Sequence, residues 1–501
     1  MNKILNIIKD RKLTYEQKVL NLAQAAEDSL SVLNISREVQ EYKDTGIICD
    51  LNEGNAPYKA RYILPDYESF MRHGSKFLGL KPPEDIWEAT NNLLILYKHV
   101  PSVTSFPVYA GNIDTLLEPF IKDETEAYHA IKLFLTHMDR TLRSSFCHAN
   151  IGPAPTKAGR LILKAERELQ CATPSLTLKY NESTTDDFVI DAVRTALVTA
   201  KPSFANHDMF TREFGERYGI ASCYNGLRIG GGSYTLVRLN LAFLAQRAKN
   251  TEDFLEGILP DAVQRMSSFM DEKIRFLVEE SGFFDTSFLV QEGLLSRDKF
   301  TAMFGIFGLA ECVNQLLKPT AAEERFGRGE RANRLGYAII ERLHKEVGLH
   351  HNRYCEATGG NFLLHAQVGI DSDKGVSPGC RIPIGEEPEL MEHIIQSTVF
   401  HKFFPSGISD VFSFDKTVKQ NPEYILDIIK GAFKENMRYF PFYSTDSDVV
   451  RITGYLVKRS DMEKLDEGNA VLMDNVVLGL GAVKNQRVLD RRVRVDGKGA
   501  H

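Results

Sequence analysis

The stretch that decides the predicted fold lies near the C-terminus and reads Val449-Val450-Arg451-Ile452-Thr453-Gly454-Tyr455-Leu456. It places Arg451 three residues before Gly454, and Tyr455 follows the glycine directly. A strand that ends at a turn glycine gives the same pattern, so these residues alone leave two interpretations open. In the second interpretation, only glycine fits, because any side chain at this Cα would crowd the flanking peptides.

The stretch resembles the loop of glycyl radical enzymes that stores a radical on glycine, and a planar Cα radical explains why a side chain would not fit there. A second segment, which resembles the finger loop that carries the radical cysteine in these enzymes, favours this interpretation over a turn glycine. The run FGIFGLAECVN, from Phe304 to Asn314, is apolar, is interrupted by glycines and leads into a predicted helix. A thiyl radical forms from a neutral thiol, and an apolar setting keeps the thiol of Cys312 protonated and excludes water. A buried cysteine beside a helix is more often structural. Cys312 becomes the favoured thiyl residue because it lies upstream of the stretch around Gly454.

Two further regions carry a resemblance to a known superfamily. Thr173–Leu178, followed by KPSF at 201–204 and NHD at 206–208, resembles the first barrel strands of glycyl radical enzymes. The segment from Cys223 through GGGS to TLVRLNLA resembles a stretch of the anaerobic ribonucleotide reductases. In order and length the chain most resembles the YjjI family of glycine radical enzymes. The resemblance covers nearly the whole chain, above all from about residue 170 to 460.

The resemblance implies an α/β fold, a ten-stranded α/β barrel of two five-stranded half-sheets with an internal finger loop and surrounding helices. We expect a mainly helical N-terminal part over 1–150, and the barrel over 151–435 with its finger loop near 304–314. The glycyl radical segment would then cover 436–501. The radical would rest on Gly454, within a loop that includes Arg451 and Tyr455, and would move to Cys312. The thiyl would abstract hydrogen from a C–H bond of a small organic substrate.

The resemblance also implies partners. It implies a homodimer, and a separate activating enzyme that uses S-adenosylmethionine and an iron–sulfur cluster to remove a hydrogen from Gly454. The chain would itself bind no cofactor, and its radical would be sensitive to oxygen, so the enzyme would work under anaerobic conditions.

The reaction is not predicted, because the sequence departs from the better-known relatives. Pyruvate formate-lyases carry two adjacent cysteines where this chain has Glu311-Cys312. Dehydratases carry Cys-x-Glu where it has Asn314, which does not transfer protons at ordinary pH. The four-cysteine zinc site of anaerobic ribonucleotide reductases is not visible before Arg451. Lyase, dehydratase or related chemistry stays open. So do a ribonucleotide-reductase-like enzyme without the zinc site and a catalytically silent barrel that binds a ligand.

Three further residues are weaker candidates for supporting roles. Cys223 would serve as a second thiol in the cavity, unless it is a packed strand cysteine. Glu356 would serve as an acid or base. Glu311 would point inward, although an acidic residue at the start of a helix also stabilises that helix.

The bulk composition excludes several classes of function. A formal charge of −6 and a pI near 6.2 provide no basic field for nucleic acid or for an anionic membrane. No apolar run is long enough to span a bilayer, and charges interrupt the apolar residues of the N-terminus too often for a signal peptide. The seven cysteines form no CxxC pair, so we expect no metal site. We predict a cytoplasmic protein.

Local patterns predict a few elements directly. Alternation predicts a strand over 176–180, and helical periodicity predicts helices over 187–198 and 261–280. The apolar run after the glycines 230–232 predicts a buried helix that begins near Ser233 or Thr235. The three glycines lack the Lys-Ser/Thr of a phosphate loop, so we interpret them as a place of close backbone packing.

Overall fold

Two sheets hold most of the strands in this computed structural model, which describes residues 3–51, 53–100, 102, 106–366 and 373–491. The strands are β1 (Ile48–Cys49), β2 (Tyr62–Leu64), β3 (His148–Ile151), β4 (Ser175–Tyr180), β5 (Ser203–Asn206), β6 (Tyr218–Ala221), β7 (Asn225–Arg228), β8 (Gly231–Asn240), β9 (Phe300–Phe307), β10 (Leu363–Ala366), β11 (Phe412–Phe414), β12 (Tyr439–Phe440), β13 (Phe442–Ser444), β14 (Val449–Arg451) and β15 (Leu456–Lys458).

Helices surround these strands. They are α1 (Lys3–Lys9), α2 (Tyr15–Glu27), α3 (Arg37–Asp44), α4 (Tyr67–His73), α5 (Ile86–Lys98), α6 (Ile113–Leu117), α7 (Glu124–Thr141), α8 (Lys157–Leu169), α9 (Asp186–Thr199), α10 (His207–Phe214), α11 (Leu241–Ala245), α12 (Thr251–Asp253), α13 (Leu259–Glu279), α14 (Phe283–Thr286), α15 (Phe288–Gln291), α16 (Leu309–Leu317), α17 (Glu330–Gly348), α18 (Leu390–Thr398), α19 (Pro422–Lys434), α20 (Arg459–Asp466) and α21 (Val476–Gln486). In the part of the chain that the structure describes, each helix is too short or too polar to cross a membrane.

The first sheet has the order β12-β5-β4-β3. Strands β3, β4 and β5 are parallel and are connected through α8 and α9, whereas β12 pairs antiparallel with β5. Parallel strands need such crossover helices, which cover the sheet and bury it. The strand and the helix predicted over 176–180 and 187–198 are confirmed as β4 and α9. The domain limit predicted at 150/151 falls inside β3.

The second sheet has the order β1-β8-β9-β10, and β2 also pairs with β8. Strands β8, β9 and β10 are parallel, while β1 and β2 run antiparallel to β8. Every residue of β8 and of β9 is buried. The predicted buried helix near Ser233 or Thr235 is therefore wrong, because a strand buried on both faces has the same continuous apolar sequence as a buried helix.

The glycines at the start of β8 allow its backbone to approach two neighbours closely. A Cβ atom at Gly231 would overlap the carbonyl oxygen of Lys299, and one at Gly232 would overlap that of Tyr62. Any other residue would force these strands apart. The interpretation of these glycines as a place of close backbone packing is confirmed.

Two short hairpins lie outside the two main sheets. Strands β6 and β7 pair antiparallel and stand in chain order between the parallel strands of the first sheet and those of the second. Strands β14 and β15 form the second hairpin, with Arg451 opposite Leu456. The prediction of a finger loop near 304–314 is wrong, because these residues form the second half of β9 and the first turns of α16.

Candidate active site

The β6–β7 hairpin turns through three residues, Ser222, Cys223 and Tyr224, between the paired Ala221 and Asn225. Ser222 has φ +58°, a left-handed conformation that such a tight turn requires. Cys223 at the tip is 3% exposed. Burial raises the pKa of its thiol to about 11, against the opposing effect of nearby arginines. The thiol is therefore protonated at neutral pH.

Side chains of the first sheet hold one edge of this hairpin. Asn150 on β3 donates from Nδ2 to the carbonyl oxygen of Ile220 (2.9 Å) and accepts from its backbone nitrogen at Oδ1 (2.8 Å). Nζ of Lys179 on β4 donates to the carbonyl oxygen of Tyr218 (2.9 Å). These side chains satisfy backbone groups of β6, as a neighbouring strand would.

Residues of the second sheet, and of the chain after it, hold the other side of the hairpin. The hydroxyl of Tyr224 donates to the carbonyl oxygen of Ala366 at the end of β10 (2.7 Å), and its ring stacks on His365 with centroids 5.5 Å apart. The backbone nitrogen of Gly226 donates to Ser406 O (2.9 Å). Because both main sheets hold it, the β6–β7 hairpin lies between them.

A buried polar network fixes the tip of the hairpin. The ring nitrogens of His148 lie 2.9 Å from Ser222 O and 2.7 Å from Thr177 Oγ1. A carbonyl only accepts, so Nδ1 of His148 donates to Ser222 and Nε2 accepts from Thr177. The hydroxyl of Tyr439, 2.7 Å from Thr177 Oγ1, donates to Cys223 O (3.0 Å). Burial lowers the pKa of His148 to about 3, so this histidine is neutral.

Gly454 lies in the link between β14 and β15, which we call the Gly454 loop (Arg451–Tyr455). The loop is buried throughout and closes with a hydrogen bond from Ile452 N to Tyr455 O (3.1 Å). Arg451 spans it from inside, because Nη1 donates to Gly454 O (3.4 Å) and Nη2 donates to Ala200 O (2.8 Å). Arg451 thus joins the loop to the end of α9.

Other parts of the chain hold the loop from outside. Ser145 donates from Oγ to Leu456 O (2.8 Å) and accepts from Leu456 N (2.9 Å), and Asn475 Nδ2 donates to the same Oγ (2.5 Å). Arg491 Nη1 donates to Ile452 O (2.9 Å). Residues of the C-terminal part of the chain, up to Arg491, pack around this loop, and 492–501 lie outside the described residues.

The Gly454 loop and the tip of the β6–β7 hairpin are neighbours. Phe146 packs on Tyr455 with ring centroids 5.2 Å apart, and it also packs against the apolar group that contains Cys223, Tyr224 and Tyr439. The charge of Arg451 acts on the pKa of Cys223 and on that of His148. The structure therefore brings together three of the residues singled out in the sequence: Gly454, Arg451 and Cys223.

Cys312 lies elsewhere. It is fully buried in the first turns of α16, where it belongs to the large apolar core. Burial raises the pKa of its thiol well above the usual value, and Glu311 is the charged neighbour that adds to this effect. Among the described residues, we find no hydrogen bond or ring contact between Cys312 and the Gly454 loop. The role of Cys312 as the thiyl residue stays a prediction from sequence.

A cavity of about 310 Å³ lies beside these elements. Arg381 and Arg491 line it, together with Glu311, whose Oε1 accepts from Ser377 Oγ (2.6 Å). Oε2 of Glu311 has no partner in the described chain, and burial raises the pKa of this carboxyl group. Glu311 therefore faces a cavity, and a raised pKa is typical of a group that exchanges protons.

Glu356 is not brought to this region. Its side chain is 48% exposed and lies 3.7 Å from Arg297, on a short turn before β10. We also find, within the described ranges, no group of three His, Cys, Asp or Glu side chains that fits a metal ion.

Sequence reasoning missed three residues of the site: His148, Tyr439 and Arg381. His148 and Tyr439 lie in short apolar strands whose pairing depends on distant segments. Nothing in the local pattern around Arg381 distinguishes it from other arginines. A usable signal did exist for the hairpin, because ASCYNG (221–226) is a turn-like run between two short strand-like stretches.

The comparison with known families decides what this arrangement is. The sequence profile of the family "Glycyl radical enzyme YjjI-like" matches residues 13–494. The chain belongs to the YjjI-like glycyl radical enzyme family. An uncharacterised protein of Haemophilus influenzae is 45% identical over 498 residues, which cover 98% of this chain and 97% of that protein. The predicted resemblance is confirmed, and with it an enzyme of unassigned reaction whose chemistry uses a protein radical under anaerobic conditions.

Solved structures of glycyl radical enzymes share the fold. The glycerol-bound form of the B12-independent glycerol dehydratase from Clostridium butyricum has a TM-score of 0.68 at 12% identity and covers 95% of this chain and 88% of its own. The anaerobic ribonucleotide reductase from Thermotoga maritima, in complex with dATP and CTP, has a TM-score of 0.66 at 13% identity, with 86% and 85% covered. The predicted α/β fold of two half-sheets is confirmed; the described residues supply five strands to one sheet and four to the other.

Proposed function

We propose that this YjjI-like enzyme stores its radical on Gly454 and uses it through Cys223, which carries the thiyl role that the sequence suggested for Cys312. The observation that carries the proposal is the position of Cys223 at the tip of a hairpin between both sheets, beside the Gly454 loop. Cys312 packs instead at the start of α16.

The proposed cycle consists of hydrogen-atom transfers that balance. The Gly454 Cα radical takes the hydrogen of the Cys223 thiol, which leaves glycine intact and a thiyl on sulfur. The thiyl takes a hydrogen atom from a C–H bond of the substrate and so regenerates the thiol. After the substrate radical reacts, the product radical takes that hydrogen back. The thiyl then recovers the hydrogen from Gly454, and the radical returns to storage.

The surroundings of Cys223 fit this role. Hydrogen-atom transfer needs the neutral thiol, and burial keeps this thiol protonated. Hydrogen bonds from His148 to Ser222 and from Tyr439 to Cys223 fix the backbone on which the sulfur is carried. A fixed donor matters, since transfer depends on the separation of the reacting atoms.

Activation, assembly and location follow from the family and complete the proposal. Glycyl radical enzymes receive their radical from a radical-SAM activating enzyme, so we propose such a partner for Gly454. We further propose a homodimer that works in the cytoplasm on a small organic substrate, with no nucleic-acid or membrane partner. Its seven cysteines, all free, fit a reducing compartment.

The reaction class stays open within this proposal. Lyase and dehydratase chemistry both need a group that exchanges protons, and we propose Glu311 for this part because it lines the cavity with a raised pKa. The two alternatives make separate predictions. A nucleotide reductase would convert ribonucleotides when given a reductant, and a silent barrel would form no radical.

The first test is anaerobic electron paramagnetic resonance after incubation with an activating enzyme, S-adenosylmethionine and a reductant. We expect a doublet that is absent from Gly454→Ala, and oxygen should then cleave the chain at residue 454. The absence of a signal with an activating enzyme proven on its own cognate substrate would contradict radical storage on Gly454.

The second test identifies the cysteine without a substrate. In D2O the thiol exchanges to S–D, and repeated transfer between the thiol and Gly454 replaces the remaining α-hydrogen by deuterium. The doublet, which that hydrogen splits, then collapses. We expect collapse in the wild type and in Cys312→Ala, and a persistent doublet in Cys223→Ala. The reverse result would return the thiyl role to Cys312.

A further inference from the structure

We infer that the substrate carries an oxyanion, a carboxylate or a phosphate group, and that the guanidinium of Arg381 binds this group beside Cys223. The inference rests on the proposed function, because it assigns a substrate class to the same site. Arg381 lies on none of the strands or helices, in the stretch between β10 and α18.

The guanidinium of Arg381 is buried but only partly used. The residue is 5% exposed, and its Nε donates to Ser409 O (2.8 Å). Over the described ranges, neither Nη1 nor Nη2 makes a hydrogen bond of normal geometry, and the Tyr224 hydroxyl, which donates to Ala366 O, is a polar group within their reach. Two buried donors without well-formed hydrogen bonds are costly. The open edge of the guanidinium fits an acceptor that the described chain does not supply.

The nearby carboxylates have other partners. Asp410 accepts from His393 Nε2 (2.7 Å) and from Val411 N (2.8 Å). Although burial opposes it, contact with Asp410 raises the pKa of His393, so these two residues form an ion pair. The charge of Arg381 also acts on Asp410, but the single negative charge of Asp410 is hydrogen-bonded to His393, so these three groups keep one positive charge in excess.

The other acidic residues that line the cavity have hydrogen-bond partners other than Arg381. Glu386 pairs with Arg325 (2.7 Å). Glu311 accepts a hydrogen bond from Ser377 Oγ (2.6 Å), and Glu387 accepts one from Gly385 N (2.5 Å). An oxyanion from a substrate would therefore find guanidinium N–H groups that these carboxyl groups do not occupy.

The position of Arg381 links this charge to the reacting thiol. Arg381 lines the cavity, and its guanidinium lies within hydrogen-bond reach of the hydroxyl of Tyr224, the residue that follows Cys223 at the tip of the hairpin. Its charge also acts on the pKa of Cys223. A guanidinium offers two parallel N–H groups, which match two oxygens of a carboxylate or a phosphate. An oxyanion held in this way would orient the rest of a small molecule, and one of its C–H bonds, toward Cys223.

The test measures binding to the unactivated full-length protein, so it does not depend on the radical. The probes are matched pairs that differ in charge: lactate and lactamide, glycerol 3-phosphate and glycerol, with inorganic phosphate and acetate as minimal oxyanions. We expect oxyanions to raise the melting temperature and the neutral partners to leave it unchanged. Protection by lactate alone would indicate a carboxylate site, and protection by glycerol 3-phosphate alone would indicate a phosphate site.

Variants assign the effect to Arg381. Arg381→Gln should weaken oxyanion binding by roughly 10- to 100-fold, as expected for a lost charged hydrogen bond, and Arg381→Lys by less. Arg487→Gln is the matched control, since Arg487 lines the same cavity but pairs with Asp490 at the surface.

Three results would overturn the inference. They are equal protection by acids and by neutral partners, unchanged oxyanion binding in Arg381→Gln, and no protection by any oxyanion at 50-fold excess over protein and above. Failure of this inference can be distinguished from failure of the proposed function. Collapse of the doublet in D2O, together with any of these results, would retain the radical pathway and reject the role of Arg381.

Discussion

The two buried cysteines of this enzyme, Cys223 and Cys312, differ in what holds them. Cys223 sits on a turn that hydrogen bonds from distant strands fix, whereas apolar packing at the start of a helix holds Cys312. In both cases burial raises the pKa of the thiol and keeps it neutral.

This difference shows that an apolar environment alone does not identify a reactive cysteine. A neutral thiol is necessary for hydrogen-atom transfer, but both residues have one. They are distinguished by their neighbours. Phe146, which contacts the Gly454 loop, packs against the apolar group that contains Cys223, and the charge of Arg451 in that loop acts on the pKa of Cys223. Cys312 is surrounded by the apolar side chains of the large core. Three substitutions, two of them with a control variant, sharpen or break this distinction.

The largest expected effect is on the Cys312 side, at Gly308. This residue has φ +80°, and a Cβ atom would lie 2.7 Å from Val376 Cγ1. We expect Gly308→Ala to lower the free energy of unfolding by about 2–5 kcal/mol, the sum of backbone strain and overpacking. Denaturant unfolding measures it.

Gly359→Ala is the control for Gly308→Ala, since Gly359 is also left-handed (φ +61°, ψ +26°) but nothing lies within 4 Å of its Cβ position. It should lose only the backbone part, about 1–2 kcal/mol. Any Gly308→Ala protein that still folds should exchange the Gly454 hydrogen in D2O at the normal rate. Slow exchange would show that α16 does take part in radical transfer.

A smaller effect is expected on the hairpin side, at Tyr439. Tyr439→Phe removes the hydroxyl that donates to Cys223 O and lies 2.7 Å from Thr177 Oγ1. We expect the free energy of unfolding to fall by about 1–3 kcal/mol, because the buried groups next to this hydroxyl lose their hydrogen-bond partner. The doublet should also collapse more slowly in D2O, since the turn is less fixed.

Tyr443→Phe provides the comparison for Tyr439→Phe. Its hydroxyl makes a long hydrogen bond to Val488 O (3.4 Å), so the loss should stay below about 1 kcal/mol and the exchange rate should not change. If both variants behaved alike, the polar network would not be what positions Cys223.

The last effect, the smallest when it is measured over a single pH unit, is a pH dependence that originates at His148. Its pKa falls from 6.5 unfolded to about 3 folded, so between these values the unfolded state binds more protons. The contribution of His148 to the free energy of unfolding is therefore fully present above pH 6.5. It declines as the pH falls towards 3, by up to about 1.4 kcal/mol per pH unit.

His148→Asn keeps a donor for Ser222 O but does not titrate, so its unfolding free energy should fall less steeply between pH 6.5 and 4.5. His365 and His401, also buried with pKa values lowered to about 3, supply the slope that remains in the variant. An unchanged slope would mean that His148 is already accessible to protons in the folded state.

The sequence predicted those parts of the molecule whose pattern is local. Alternation and periodicity are enough for β4, α9 and α13. The glycine and the arginine of the Gly454 loop lie within four residues of each other, so the loop could be predicted from one short stretch of sequence.

Elements that depend on pairing between segments far apart in the chain could not be predicted from the sequence. The apolar runs of β8 and β9 fit a helix or a loop as well as a strand, and only their burial between helices decides the matter. The choice between Cys223 and Cys312 likewise depends on which strands surround each cysteine. Sequence reasoning missed Arg381 because this residue is distinguished only by the hydrogen-bond partners that its Nη atoms lack in the folded chain.

The hydrogen bond from Arg491 to Ile452 also bears on how the protein is made. The β6–β7 hairpin leaves the ribosome more than 200 residues before Arg491, the last described residue and one of the anchors of the Gly454 loop. A nascent chain can therefore pair the parallel strands of both sheets while its Gly454 loop still lacks that anchor. Chains that stop early, or are clipped before Arg491, would keep most of the barrel strands but leave Ile452 O without its donor. Such fragments should be the forms most prone to lose the radical.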